Sequence, residues 1–172
     1  MAREAVVLQI VGYSDSGKTT LMAKLISLIE ESGIRVGVIK HDGGHDFEWD
    51  QPGKDTWTYR EAGASLVTIT SRTKTAMLEQ RPLPLSELIE RMAAAGAELV
   101  LVEGFKRENY PKMVVLRRPE DQQLLSLVSG VVAVISWDAF AHPEVPVFSV
   151  NDRDRVARFV LDYYEAGKKG TG

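Results

Sequence analysis

The chain contains no cysteine. Disulfides, iron–sulfur clusters and thiolate zinc sites are excluded with it, because each needs a thiolate sulfur. Long apolar runs are missing as well: none approaches the ~20 residues a helix needs to span a bilayer. The N-terminus enters an apolar strand pattern almost at once, leaving no stretch for a signal peptide, so a cytoplasmic protein is expected. Excess charge of one sign is also lacking. The 172 residues carry a formal net charge of −3, which argues against broad binding to nucleic acid or to a membrane surface. There is no internal repeat, no low-complexity block and no linker, and the length suits one domain with a full core.

Against these absences one motif stands complete. Gly12-Tyr13-Ser14-Asp15-Ser16-Gly17-Lys18-Thr19 spells a phosphate-binding loop, G-x4-G-K-[ST]. An apolar strand pattern, residues 6–11, precedes it. A helical pattern follows over Lys18–Glu31, with Leu21, Leu25, Leu28 and Ile29 on one face and Gly33 as its stop. Strand before and helix after are what the chemistry requires. Glycines let backbone N–H groups curl around a β-phosphate, and the helix N-terminus adds partial positive charge. Lys18 can reach the β- and γ-phosphates, and the Thr19 hydroxyl can ligate Mg²⁺. A nucleoside triphosphate is therefore the expected ligand.

The rest of the chain alternates strand and helix patterns, as βαβ units do. Residues 35–40 read as the second strand. A polar stretch over residues 41–58 follows as a long loop or small inserted hairpin, then a short helix near Tyr59–Ala64. Residues 65–71 and 75–79 read as two strands. Pro82 and Pro84 introduce a helix with Leu85, Leu88, Ile89 and Met92 at i, i+3, i+4, i+7, ended by Gly96. Residues 98–102 form a continuously apolar strand of the kind buried in parallel sheets, with further strands at 113–116, 131–135 and 145–150. Asn151 or Asp152 caps a last helix whose inner face is Val156, Phe159, Val160 and Tyr163. The expected fold is α/β, a P-loop NTPase-type three-layer architecture. It has a mostly parallel central sheet and a small β-hairpin-like insertion after the second strand. One nucleotide-binding domain is expected over residues 1–166, with the insertion at about 41–60 and a flexible tail at 167–172.

Three further groups of residues carry potential chemistry. Glu103 ends the apolar strand beside Gly104, where a water-mediated contact to Mg²⁺ belongs and where the backbone can approach a γ-phosphate closely. It can also be a solvated carboxylate at a strand end. His41 and His45, with Asp42, Asp46 and Asp50, can bind a divalent metal; the same loop can line an anion site through Lys54 and Arg60, or be plain polar loop. Lys106, Arg107, Lys112, Arg117 and Arg118 make a local basic patch, suited to an anionic small molecule, an acidic partner or the guarding of an edge strand. An Asn-Lys-x-Asp run that would read guanine is absent. Asp138, after the strand at 131–135, is the carboxylate placed to accept from guanine N1 and N2.

Together the loop Gly12–Thr20, the run from Lys40-His41-Asp42 through Gly53-Lys54-Asp55-Thr56 to Arg60-Glu61-Ala62-Gly63-Ala64, and Val102-Glu103-Gly104-Phe105-Lys106 resemble the molybdopterin-guanine dinucleotide biosynthesis protein B family. The resemblance covers the chain nearly end to end. It implies a P-loop GTP-binding protein of the molybdenum cofactor pathway that is a dimer with weak GTP hydrolysis. Its implied partners are the protein A enzyme, which joins GMP to molybdopterin, other cofactor proteins and a molybdopterin-type anion. Nucleotide contacts are then expected at Gly12, Ser14, Asp15, Ser16, Gly17, Lys18, Thr19 and Thr20, with Asp138 at the base. Lys18 and Glu103 are the expected catalytic groups, and Thr19, Asp42 and Glu103 the expected metal contacts. The Gly53–Arg60 segment is implied to lie near the dimer interface. Two departures stand out: Tyr59 occupies a position where the family pattern has histidine, and Gly43-Gly44 precede His45 where one glycine is expected. Two other readings suit the same motif, a small-molecule kinase using Arg72, Arg81, Arg107, Arg117 and Arg118, and a metallochaperone GTPase relying on His41 and His45. A partitioning ATPase is disfavoured, because Tyr13-Ser14 stand where its extra lysine would be.

Overall fold

The computed structural model describes residues 4–44 and 46–170. It divides into two compact units, one of residues 1–41 with 85–172 and a second of Asp42–Pro84.

The first unit is built on a six-stranded sheet. Its strands are β1 (Val6–Val11), β2 (Val36–Lys40), β5 (Leu99–Glu103), β6 (Lys112–Leu116), β7 (Val131–Ser136) and β8 (Val147–Ser149), in the order β2-β5-β1-β6-β7-β8. Every adjacent pair is parallel. The alternation of side chains along each strand divides the core into two layers. Leu8, Ile10, Leu101, Met113, Val115 and Ile135 point to one face and meet α1 (Lys18–Glu31) through Leu21, Met22, Leu25 and Ile29. On the same face α5 (Arg153–Gly170) contributes Val156, Ala157, Val160 and Tyr164. The opposite face holds two smaller clusters. Val100, Val102 and Ile39 pack with Leu85 of α3 (Leu85–Ala94), and Val11, Val114, Leu116 and Val134 pack with Leu124 of the short α4 (Leu124–Leu127). The result is three layers, as the patterning implied.

The second unit holds α2 (Asp55–Glu61) and a two-stranded antiparallel sheet of β3 (Leu66–Thr70) and β4 (Thr75–Glu79). The hairpin therefore lies later than the polar stretch at 41–58. The short helix begins earlier than its pattern suggested. Asp55 places negative charge in the first turn, and the Lys54 carbonyl accepts from the Thr58 N–H and hydroxyl, so the helix starts at once after Gly53. Gly63, at φ 105°, follows its end. None of the described residues of this unit is buried.

Three other boundaries moved. β5 runs through Glu103, α5 continues to Gly170 into the stretch read as tail, and a 3₁₀ turn (Pro119–Gln123) leading into α4 carried no pattern that the sequence reading registered. β6 is interior, flanked by β1 and β7, so it is not an edge strand. Among the described residues no helix is long and apolar enough to cross a membrane.

The two-layer core sets a clear expectation for stability. Leu25 is fully buried between α1 and the sheet, whereas Leu127 is 72% exposed. In urea unfolding, Leu25→Ala should cost about 2–5 kcal/mol and Leu127→Ala within about 0.5 kcal/mol. Equal effects would contradict this placement of α1.

Candidate functional site

β1 ends at Val11 and α1 begins at Lys18; the residues between form a tight curl over the C-terminal edge of the sheet. The curl needs its glycines. A Cβ on Gly12 would lie 2.7 Å from Ser16 Oγ and 2.9 Å from the Val115 carbonyl oxygen, so nothing larger fits. Gly17 takes φ 90°, and Asp15 takes φ 59° although it is not glycine. Gly17 is the N-cap of α1, with no side-chain cap and no acid in the first turn. The N–H groups of that first turn are thus not taken up by carboxylates of their own helix.

Lys18 folds back across this curl. Its Nζ donates to the Gly12 carbonyl at 2.9 Å, the Tyr13 carbonyl at 2.6 Å and Ser16 Oγ at 3.3 Å. Burial pushes its pKa below the usual lysine value, Glu103 acts against that shift, and Lys106 and Lys40 reinforce it. Asp15 also opposes the shift, so the charges that bear on Lys18 are two acids and two cations, gathered from the ends of β1, β5 and β2.

Glu103 reaches this point because β5 lies between β1 and β2 in matched register. Ile10 and Lys40 both pair with Glu103. Gly104 then turns at φ 90° and Phe105 at φ 52°. The close approach that Gly104 permits is to His41, whose Cβ would be 3.1 Å from a Cβ there, and its N–H donates to the Ile10 carbonyl at 3.2 Å. His41 stacks on Phe105 with ring centroids 4.5 Å apart. Lys106 lies over the Tyr13 ring at 4.6 Å.

The other flank was less visible in the sequence. Trp137, just after β7, donates from Nε1 to the Ser16 carbonyl at 2.8 Å, and its ring lies where a side chain on Gly17 would have to go. Arg117, just after β6, donates from Nη1 to the Asp15 carbonyl and covers the Trp137 ring at 5.2 Å. Trp137 and Asp138 also line an open groove of about 310 Å³ with Phe140, Val147, Phe148 and Ser149. That volume is at the lower end of the ~300–1,000 Å³ typical of small-molecule sites.

The supposed basic patch does not exist as one surface. Arg117 is committed to the loop, Lys106 to Tyr13, and Lys112 is fully buried. Arg107 and Arg118 remain exposed. No sequence motif singles out Trp137. The signal that could have found it is an indole at the C-terminal end of a strand two places from β1.

Asp42 and Asp46 are exposed. Asp50 accepts from the Gln51 N–H at 2.9 Å, and the Thr56 hydroxyl beside it holds its carboxyl below the usual range. Arg60 pairs with Glu48 at 2.6 Å and Glu61 at 3.7 Å. Among the described residues no three His, Asp or Glu side chains converge as metal ligands, and His45 lies outside them.

If the indole braces the loop, Trp137→Phe should speed hydrogen exchange at the Ser14–Gly17 amides while β1 stays protected. Identical protection in both proteins would show that the Ser16 contact holds nothing.

Comparison with known proteins agrees with this arrangement. The family model described as molybdopterin guanine dinucleotide synthesis protein B matches residues 7–137, from β1 through Trp137. The molybdopterin-guanine dinucleotide biosynthesis adapter protein of Escherichia coli is 37% identical over 168 residues, covering 92% of this chain and 93% of that protein. The adapter protein of the same name from Haemophilus influenzae is 40% identical over 165 residues, with 95% and 92% covered. Among solved structures, Bacillus subtilis MobB superposes with a TM-score of 0.80 at 30% identity, covering 92% of this chain and 97% of that one. A MobB homologue from Bacillus stearothermophilus gives 0.75 at 32%, with 93% and 98% covered. A family match spanning most of the chain, relatives at up to 40% identity and the shared fold lead to one conclusion: the chain belongs to the molybdopterin guanine dinucleotide synthesis protein B family.

Proposed function

We propose that this chain is an adapter of molybdopterin guanine dinucleotide biosynthesis that binds Mg-GTP at the Gly12–Thr20 loop, hydrolyses it slowly and acts beside the guanylyltransferase of that pathway. The pathway and the adapter role rest on the family and on the names of its Escherichia coli and Haemophilus influenzae members. Nucleotide binding rests above all on one observation: a partly buried Lys18 ammonium is held across a curled loop at the uncapped N-terminus of α1.

Each residue then has a task. Backbone N–H groups from Gly12 to Lys18 take up phosphate oxygens, and Lys18 spans the β- and γ-phosphates. The Thr19 hydroxyl, exposed at the start of α1, and the Glu103 carboxylate are the groups that would hold Mg²⁺. The described residues offer no carboxylate cage, which suits Mg²⁺, an ion usually held by one or two protein groups together with phosphate oxygens. When bound, Mg²⁺ neutralises charge between the phosphates. The groove beside Trp137 receives the base, where Asp138 accepts from guanine N1 and N2.

Slow hydrolysis has a physical cause. No arginine lies in the loop, and the nearby Arg117 is occupied by Asp15 and Trp137. An arginine supplied in trans can be worth about 10³–10⁵ in rate, so a protein partner is the natural accelerator.

The second unit supplies the partner surface for a homodimer. With no described residue buried, it exposes Phe47, Trp49, Tyr59, Leu66, Ile69 and Met77. A lone two-stranded hairpin is at best marginally stable in water, and a second copy of the chain would cover this apolar surface.

Calorimetry with Mg-GTP and Mg-ATP tests the nucleotide reading. GTP should bind at least tenfold more tightly, about 1.4 kcal/mol. Lys18→Ala should lose roughly 30-fold or more in affinity, about the 2 kcal/mol of a charged hydrogen bond, with its melting temperature unchanged. Unaltered binding in that variant would sink the loop assignment, and equal GTP and ATP binding would favour the kinase reading. Leu66 and Met77 share one face of the hairpin, since Met77 pairs with Thr68. The double variant Leu66→Glu/Met77→Glu should sediment as a monomer where the parent protein is a dimer; a parent monomer would remove the dimer from the proposal.

A further inference from the structure

Among the described residues, the most deeply buried polar pair lies behind the site. Gln9 stands at the middle of β1 and Lys112 at the start of β6, paired in register, and both have no exposed surface. Their side chains lie on the sheet face opposite α1, between the two smaller apolar clusters. The Lys112 ammonium uses all three of its donors: Gln9 Oε1 at 2.9 Å, the Glu108 carbonyl at 2.6 Å and the Tyr110 carbonyl at 2.7 Å. This fixes which way the Gln9 amide points. With Oε1 facing an ammonium, Nε2 must face away, and it donates to the Gly104 carbonyl at 3.0 Å and the Phe105 carbonyl at 2.9 Å. The Phe105 carbonyl also accepts from the Glu108 N–H at 2.9 Å.

The two carbonyls gripped by Gln9 belong to two consecutive left-handed residues, one of which is phenylalanine. Such a conformation persists only when its surroundings over-determine it. Burial lowers the Lys112 pKa, a sign that the ammonium is costly where it stands. Apolar side chains commonly stabilise such positions as well or better, so packing alone does not account for the pair. What the pair does is carry a constraint from the sheet interior to the backbone just after Glu103, and that segment also carries Lys106. Glu103 and Lys106 both bear on the charge of Lys18.

We infer that Gln9 and Lys112 are positioning residues that hold the Gly104–Tyr110 segment so that Glu103 and Lys106 stand correctly for the γ-phosphate of a bound triphosphate. The inference rests on the nucleotide reading above. Neither side chain touches the ligand; both act through the backbone of residues 104, 105, 108 and 110. Their effect falls on the end of the triphosphate beyond the β-phosphate, because the Gly12–Thr19 loop is held independently by Trp137 and Arg117.

The test is the ratio of Mg-GTP to Mg-GDP affinity, measured by calorimetry in the full chain and in Lys112→Met. A merely destabilised fold weakens both nucleotides alike and leaves the ratio alone. The expected result is a ratio lowered tenfold or more, with GDP affinity within threefold of the parent value. If Lys112→Met does not fold, Gln9→Glu replaces it. That variant keeps an acceptor for Lys112 but removes both donors to the Gly104 and Phe105 carbonyls, and it should lower the ratio equally. A parent protein that favours GTP, with either variant unchanged in ratio, overturns the positioning role and leaves the nucleotide reading intact. A parent that binds neither nucleotide overturns both.

Discussion

Parallel strands finish on the same side of their sheet, and that single constraint organises the first unit. β5, β1 and β6 lie side by side and run one way, so the chain must leave all three at one edge. The Gly12–Thr19 loop, Glu103 and Arg117 meet there although up to 105 positions separate them in sequence. Register does the fine placement. Ile10 opposite Glu103, and Glu103 opposite Lys40, bring an acid and a base to flank Lys18 without any loop having to find its way. This is the general behaviour of open α/β sheets, whose ligand crevices lie outside the carboxyl ends of the strands.

Given that placement, the loop and the segment after β5 are each held in place, from different directions. From the β6–β7 side, an indole and a guanidinium take the outward carbonyls of Ser16 and Asp15. From inside the sheet, Gln9 takes the carbonyls of the opposing segment. Each of these donors meets a backbone carbonyl, so the curl and the segment after β5 have their backbone groups fixed in place. Fixing such groups in advance lowers the ordering cost that binding would otherwise meet.

How much of this could be read from the sequence depended on how local the cause was. α1 was legible to the residue, because a glycine, a lysine and an apolar 3.6-residue period all act within one turn of each other. The inner strands were legible because parallel strands buried on both faces are largely apolar, whereas the edge strands β2 and β8 are only partly buried. α2 was misplaced: its start is set by the Lys54 carbonyl and Asp55 rather than by an apolar stripe, and the helix has no buried residue to create one. The 3₁₀ turn and α4 went unread because they are short and only Leu124 is buried. Lys112 and Arg117 were misassigned for a deeper reason. A basic residue looks the same in sequence whether it faces water, a carbonyl or an aromatic ring. Only strand order decides, and strand order is long-range information. Trp137 is the same case, since its contact with Ser16 spans 121 positions.

The placement of the tryptophans has an optical consequence. There are three, and Trp49 and Trp57 both lie in the second unit. Trp137 is thus the sole indole of the first unit, hydrogen-bonded to the loop and overlaid by a cation. Emission from this unit is therefore a direct view of the loop itself. The Ser16 bond and the overlying Arg117 couple that indole's surroundings to the conformation of the loop, so the loop carries its own reporter with no label to be added.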